Sequence, residues 1–257
     1  MHNYRMIIVA LISACLVFTA NAHDISGLVI KVKPSVVGIG TFTPLSSPQN
    51  ELRGSGFVIG NGLYVATNHH VLPQVLDEER KQQMVVFIGS GKEAKVRKAT
   101  LVGASSYHDL AILKIEGQPL PAMTLAEDGF LAEGKEVGFT GFPIGAILGL
   151  YPVTHKAMIA SITPVVIPVK DTRQMSLNML KRLRDPYMVY QLDGTAYPGN
   201  SGSAMYDISK GEVVGVINKV FVQETKEAVI SNPSGITYAI PVRHLRALMK
   251  KHNVPMS

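Results

Sequence analysis

The chain has 257 residues, with 25 Lys and Arg against 19 Asp and Glu for a formal charge of +6, and one cysteine. That length suffices for one large all-β unit or two small domains, with a core that needs neither metal nor disulfide. One cysteine excludes a disulfide scaffold, and dispersed basic charge without clustered aromatics gives no nucleic-acid signature.

Residues 1–22 read as a signal peptide. His2 to Arg5 form a short polar, positive start, Met6 to Thr19 are almost wholly apolar, and Ala20-Asn21-Ala22 is a small-x-small cleavage pattern. The apolar run is short for a membrane span. Export with His23 as the mature N-terminus follows, to the bacterial periplasm or out of the cell. An alternative stands beside it. Ile12-Ser13-Ala14-Cys15 resembles a lipoprotein box, which would anchor the chain through Cys15; the apolar residues after Cys15 rank it second. Cleavage after Ala22 removes both Arg5 and Cys15, leaving 24 basic against 19 acidic residues and no thiol.

Twenty-three Gly and fifteen Pro imply many turns and short strands. Leu28 to Lys33 and Val36 to Thr41 read as strands broken by Pro34, followed by a polar loop from Thr43 to Arg53. Arg53-Gly54-Ser55-Gly56-Phe57-Val58-Ile59-Gly60 leads into an Asn61-Gly62 hairpin turn and a return strand, Leu63 to Thr67. That strand ends at Asn68-His69-His70-Val71, where rigid backbone would hold a histidine as a general base requires. Met84 to Ile88 and Lys95 to Gly103 are further strands. Tyr107-His108-Asp109 then opens Leu110 to Ile115, a strand apolar on both faces. An aspartate at its mouth is costly to bury unless it accepts hydrogen bonds, and a histidine N–H is a suitable donor.

Glu116 to Pro121 reads as a linker, and Val137 to Phe142 opens a second set of strands with Lys156 to Ile162 and Val165 to Val169. Gln174 to Arg184 breaks the pattern with Leu177, Leu180 and Leu183 at helical spacing among basic residues. A short amphipathic helix on the barrel is the first reading, and a membrane-surface or regulatory loop the second. Met188 to Leu192, Gly211 to Phe221 and Gly235 to Ile240 complete the strands. A basic helix then carries Leu245, Leu248 and Met249 on one face.

Tyr197-Pro198-Gly199-Asn200-Ser201-Gly202-Ser203 holds a serine between glycines. A serine hydroxyl is a poor nucleophile until a base takes its proton and donors receive the oxyanion. Glycines on both sides allow a sharp turn that aims the Gly199 and Ser201 N–H groups at one point. Taken alone, the stretch also reads as an ordinary turn. A metal cluster of His69, His70, His108 and Asp109 is the weaker alternative, since their spacing matches no metal motif.

His70, Asp109 and Ser201 follow in the chain order of chymotrypsin-type proteases. Gly54-Ser55-Gly56-Phe57, Thr67-Asn68-His69-His70-Val71, His108-Asp109-Leu110-Ala111-Ile112-Leu113 and Pro198-Gly199-Asn200-Ser201-Gly202 together resemble the HtrA/Deg group of trypsin-like serine proteases. Gly141-Phe142-Pro143-Ile144-Gly145 and Tyr238-Ala239-Ile240-Pro241 extend the resemblance, which covers about Leu28 to Leu248. It implies an all-β fold of two six-stranded antiparallel barrels with a C-terminal helix. The peptidase domain would span 23–257, with barrels at about 27–118 and 122–242 and the helix at 243–252. By the same resemblance His70 is the base, Asp109 its orienting acid and Ser201 the nucleophile, with the Gly199 and Ser201 amides as oxyanion hole. Thr195 falls on the floor of the specificity pocket and Ile217, Asn218 and Lys219 on its wall. The absence of an acid on that floor points to small or aliphatic side chains before the cut bond.

His69 and Ser203 depart from the family pattern, a peptidase domain without a PDZ module is expected, and Thr163 to Tyr190 is long where relatives carry activation loops. The expected function is an exported serine endopeptidase acting on unfolded or misfolded envelope proteins. The alternatives are a protease-fold chaperone or binding protein, and a latent protease that needs a partner. No cofactor or metal is implied. Expected partners are polypeptide substrates and no nucleic acid, with peripheral membrane contact left open and an oligomer possible but not predicted from the sequence.

Overall fold

The computed structural model describes residues 25–144, 149–165, 184–218 and 235–256. The proposed signal peptide, Cys15, Lys219 and nearly all of the Gln174–Arg184 stretch lie outside them.

Twelve strands form two closed barrels. The first comprises β1 (Val36–Phe42), β2 (Asn50–Ile59), β3 (Tyr64–Thr67), β4 (Gln83–Ile88), β5 (Lys95–Ser105) and β6 (Leu110–Ile115). The second comprises β7 (Glu136–Gly141), β8 (Val153–Pro164), β9 (Met188–Asp193), β10 (Ala204–Asp207), β11 (Val213–Asn218) and β12 (Ile236–Pro241). The first closes in the order β1-β2-β3-β6-β5-β4 and the second in the order β7-β8-β9-β12-β11-β10, the same path twice. All twelve pairings are antiparallel, so the expected two-barrel fold is the one observed. This structural duplication leaves no repeat in the sequence.

One expected strand is a helix. Leu28 to Lys33 lies in α1 (Ser26–Val32) and a 3-10 turn over Lys33–Ser35 that delivers the chain to β1. The β-branched residues favour a strand locally, but Leu28 and Val32, four apart, share a helix face. Val32 is buried among residues of both barrels, Leu28 packs against the same cluster, and Ile30 points to solvent. Tertiary packing outweighs local propensity here. Two smaller differences concern β2, which starts at Asn50 inside the expected loop, and β10, four residues directly after the serine loop.

Each barrel has its own core. Val58, Val65, Val86, Ala111 and Leu113 fill the first, and Phe139, Ile159, Leu192, Met205 and Ala239 fill the second. A third cluster lies between them. Phe57, Ile59, Leu110 and Ile112 on the outer face of the first barrel meet Tyr206, Val213, Val216 and Ile240 of the second. This explains why β2 and β6 are apolar on both faces: one face fills a barrel, and the other joins the barrels. The final helix, α2 (Val242–Lys251), buries Val242, Leu245, Leu248 and Met249 in that same joint. Lys250 and Lys251 stay exposed in its last turn, where cations suit the helix dipole.

Candidate active site

The candidate site starts at the end of β3, where a 3-10 turn over His69–Val71 carries the two histidines. Only the His70 ring meets the Asp109 carboxylate. His70 Nδ1 donates to Asp109 Oδ2 at 2.6 Å, and the His70 backbone N–H donates to Oδ1 at 2.9 Å. His69 contributes its backbone N–H to the Asp109 carbonyl at 3.1 Å, and its ring is exposed.

Asp109 is gripped from several sides. Its residue is only 6% exposed and adopts φ 55°, a left-handed conformation that aspartate tolerates better than most residues. Asn68 Nδ2 donates to its carbonyl at 3.0 Å, and Asn218 Nδ2, from β11 of the other barrel, donates to Oδ2 at 2.7 Å. A buried carboxylate with three side-chain acceptor bonds meets the condition that makes its burial affordable. The side chain of His70 remains about one-third exposed.

The serine loop is built from peptide planes held one by one. Pro198 C=O accepts from Ile144 N at 2.6 Å, and Asn200 C=O accepts from Ser203 N at 3.0 Å. In a trans peptide the carbonyl and the following N–H point in opposite directions. Fixing those two carbonyls therefore turns the Gly199 and Ser201 N–H groups to the other side. Neither N–H donates to a backbone carbonyl among the described residues. Gly199 has φ 100°, and a Cβ there would run into the Phe142 carbonyl, so glycine is required on both counts. Ser201 is 7% exposed, and its carbonyl accepts from Ser55 N at 2.9 Å, tying the loop to the first barrel. Gly202, at φ 88°, lies against Ser55, Thr67 and Asn68, next to the turn that carries His70. The Ser201 hydroxyl itself has no hydrogen-bond partner among the described residues.

The expected pocket residues separate. Thr195 is half-buried just before the serine loop. Ile217 is fully buried in the second barrel's core, and its backbone pairs with Gly202 and Ser203. Asn218 is fully buried on Asp109. His108, beside Asp109 in sequence, turns away: its ring stacks on His244 with centroids 4.1 Å apart, edged by Tyr107 and Tyr187. Among the described residues, no three or more His, Cys, Asp and Glu side chains converge as a metal site requires.

Sequence reasoning assigned no role to Ser55. Its hydroxyl donates to Gly199 O at 2.6 Å and accepts from Phe142 N at 2.9 Å. The Gly54-Ser55-Gly56 motif was the available signal, but it carries no hint of partners in the second barrel.

Residues 54–216 match the family model described as a trypsin-like peptidase domain. The chain belongs to that family. It is 30% identical over 197 residues to the "Probable periplasmic serine endoprotease DegP-like" of Halomonas elongata, covering 76% of this chain and 34% of that protein. A relative of the same description from Pseudomonas savastanoi pv. phaseolicola is 26% identical and covers 94% of this chain and 52% of its own length. The chain thus spans about a third to a half of these HtrA/Deg-type relatives. Among solved structures, an HtrA-type protease AlgW with tripeptide superposes with TM-score 0.64 at 24% identity, covering 89% of this chain and 63% of that one. A serine endoprotease from Yersinia pestis gives TM-score 0.61 at 24% identity, covering 91% and 67%. Both share the fold.

Proposed function

We propose that this chain is a serine endopeptidase with Ser201 as nucleophile, His70 as general base and Asp109 as orienting acid. The observation that carries the reading is the 2.6 Å bond from His70 Nδ1 to a buried, multiply bonded Asp109. That bond fixes the tautomer, leaving the Nε2 lone pair as the proton acceptor. Membership of the trypsin-like peptidase family and DegP-like relatives support it.

The reaction proceeds by attack of Ser201 Oγ on a peptide carbonyl as His70 Nε2 takes the hydroxyl proton. The carbonyl oxygen becomes an oxyanion facing the Gly199 and Ser201 N–H groups. His70 then protonates the leaving amine, the C–N bond breaks, and water repeats the sequence to release the acid and restore the serine. The substrate is a polypeptide with a small or aliphatic residue before the cut bond, because Thr195 brings no charge to pair with a basic side chain. Unfolded envelope proteins are the proposed class, and the relatives' names, periplasmic serine endoproteases, support the compartment. Cleavage after Val or Ala should exceed cleavage after Arg in a peptide library, and an Arg preference would overturn this assignment.

A second reading is favoured by one observation. The Ser201 hydroxyl is unpaired among the described residues, as expected of a latent enzyme that completes its site on engaging a partner or substrate. Fluorophosphonate labelling of the purified protein, with Ser201→Ala as control, separates the two. Labelling that disappears in the control supports the constitutive peptidase. Labelling only after a peptide is added supports the latent one, and no labelling under either condition rejects both.

A further inference from the structure

We propose that Ser55 is a positioning residue for the oxyanion-binding amides, acting from the first barrel on the serine loop of the second. This inference rests on the serine-peptidase reading above. Ser55 is fully buried in β2, and its polar atoms are engaged in four directions. Its N–H donates to Ser201 O at 2.9 Å, and its carbonyl accepts from Thr67 Oγ1 at 2.7 Å. Its hydroxyl donates to Gly199 O at 2.6 Å and accepts from Phe142 N at 2.9 Å.

The bonds fall on alternate peptide planes. Ser55 Oγ holds the Gly199–Asn200 plane, whose N–H is held in turn by Tyr197 O at 3.0 Å. Ser55 N holds the Ser201–Gly202 plane, whose N–H is held by Ile217 O at 2.9 Å. Of the two amides that would receive an oxyanion, Ser201 N–H belongs to the plane between these two and Gly199 N–H to the plane just before the first. A glycine at φ 100° has little intrinsic preference for that orientation, so the Gly199 carbonyl bond to Ser55 restrains a plane that would otherwise turn readily. The acceptor side of the same hydroxyl fixes Phe142, whose carbonyl backs Gly199. A hydroxyl is a small group that can donate to the loop and accept from Phe142, just beyond β7, at once.

Such a residue acts on the transition state more than on substrate binding, because the oxyanion forms only after attack. Ser55→Ala removes both hydroxyl bonds. Ser55→Cys is nearly isosteric and keeps the packing while weakening the donor, so it covers the case in which the alanine variant fails to fold. Both are measured in the full chain for kcat and KM on a peptide substrate, and for inhibition by a peptide aldehyde that forms a tetrahedral adduct. Peptide affinity is measured separately in a Ser201→Ala background. The expected result is a loss of kcat of about tenfold to a hundredfold, below the effect of deleting an oxyanion donor outright. KM stays within twofold, aldehyde affinity weakens in proportion to kcat, and uncleaved peptide binds unchanged. A folded Ser55→Cys protein with wild-type kcat and wild-type aldehyde affinity overturns the proposal while leaving the peptidase reading intact. Wild-type protein without Ser201-dependent labelling or cleavage overturns both.

Discussion

Asn218 and Asp109 meet across the joint between the barrels, with Asn218 Nδ2 placed 2.7 Å from the same Oδ2 that receives His70 Nδ1. The amide supplies a donor to that oxygen without bringing a second charge beside it. Asn218→Ala should lower kcat about tenfold, the equivalent of one hydrogen bond to a charged group. Asn218→Asp should cost more, because it sets a second carboxylate against the first. Steady-state kinetics on one peptide substrate checks the order; equal activity of the two variants would refute it.

Gly199→Ala tests the shape of the loop. The added methyl meets the Phe142 carbonyl, and φ 100° is a region that alanine avoids, so the loop must move. Moving it misdirects a proposed oxyanion donor, and kcat should fall by about a hundredfold to a thousandfold. Circular dichroism should show the barrels unchanged.

Ser203 offers a stability prediction of opposite sign. Its hydroxyl is buried without a hydrogen-bond partner among the described residues, in space left by the missing side chain of Gly141. Ser203→Ala removes an unpaired polar group that costs about 1–3 kcal/mol. The variant should melt a few degrees higher, roughly 2–4 °C per kcal/mol for a chain of this size. Differential scanning calorimetry decides it, and a lower Tm would mean that the hydroxyl is satisfied in solution.

Acid should weaken the helix joint through His244. Burial, helped by the neighbouring His108 and Arg243, depresses its pKa from 6.5 to about 3. The unfolded chain therefore binds a proton that the folded chain refuses, and stability falls as pH drops from about 6.5 toward about 3. His244→Phe keeps an aromatic ring against His108 and removes the titration. Its Tm should decline less steeply than that of the wild type between pH 7 and pH 4; parallel curves would assign the acid sensitivity elsewhere.

Strands and turns were readable where local chemistry decides them. Asn61-Gly62 marks the place of the β2–β3 hairpin, though within a four-residue loop from Gly60 to Leu63 rather than a two-residue turn, and β6 runs over the same six residues, Leu110 to Ile115, that its apolar run marks. The helix at Ser26–Val32 was not readable, since its apolar face has meaning only once a second surface exists for Val32 to pack on. Asn218 and Ser55 escaped for a related reason. A motif fixes what a residue is, while their roles depend on partners 109 and 144 positions away. His70 could be preferred over His69 from the residue that follows it, but the Asp109 contact gives the physical reason.

The bond from Ser55 to Ser201 also makes the proposed site a joint property of two barrels. Ser201 lies in a loop of the second barrel yet is tied by the first, and α2 packs into the seam between them. Neither barrel alone carries the arrangement, so a loosened seam would part Ser201 from its tie while each barrel kept its own core.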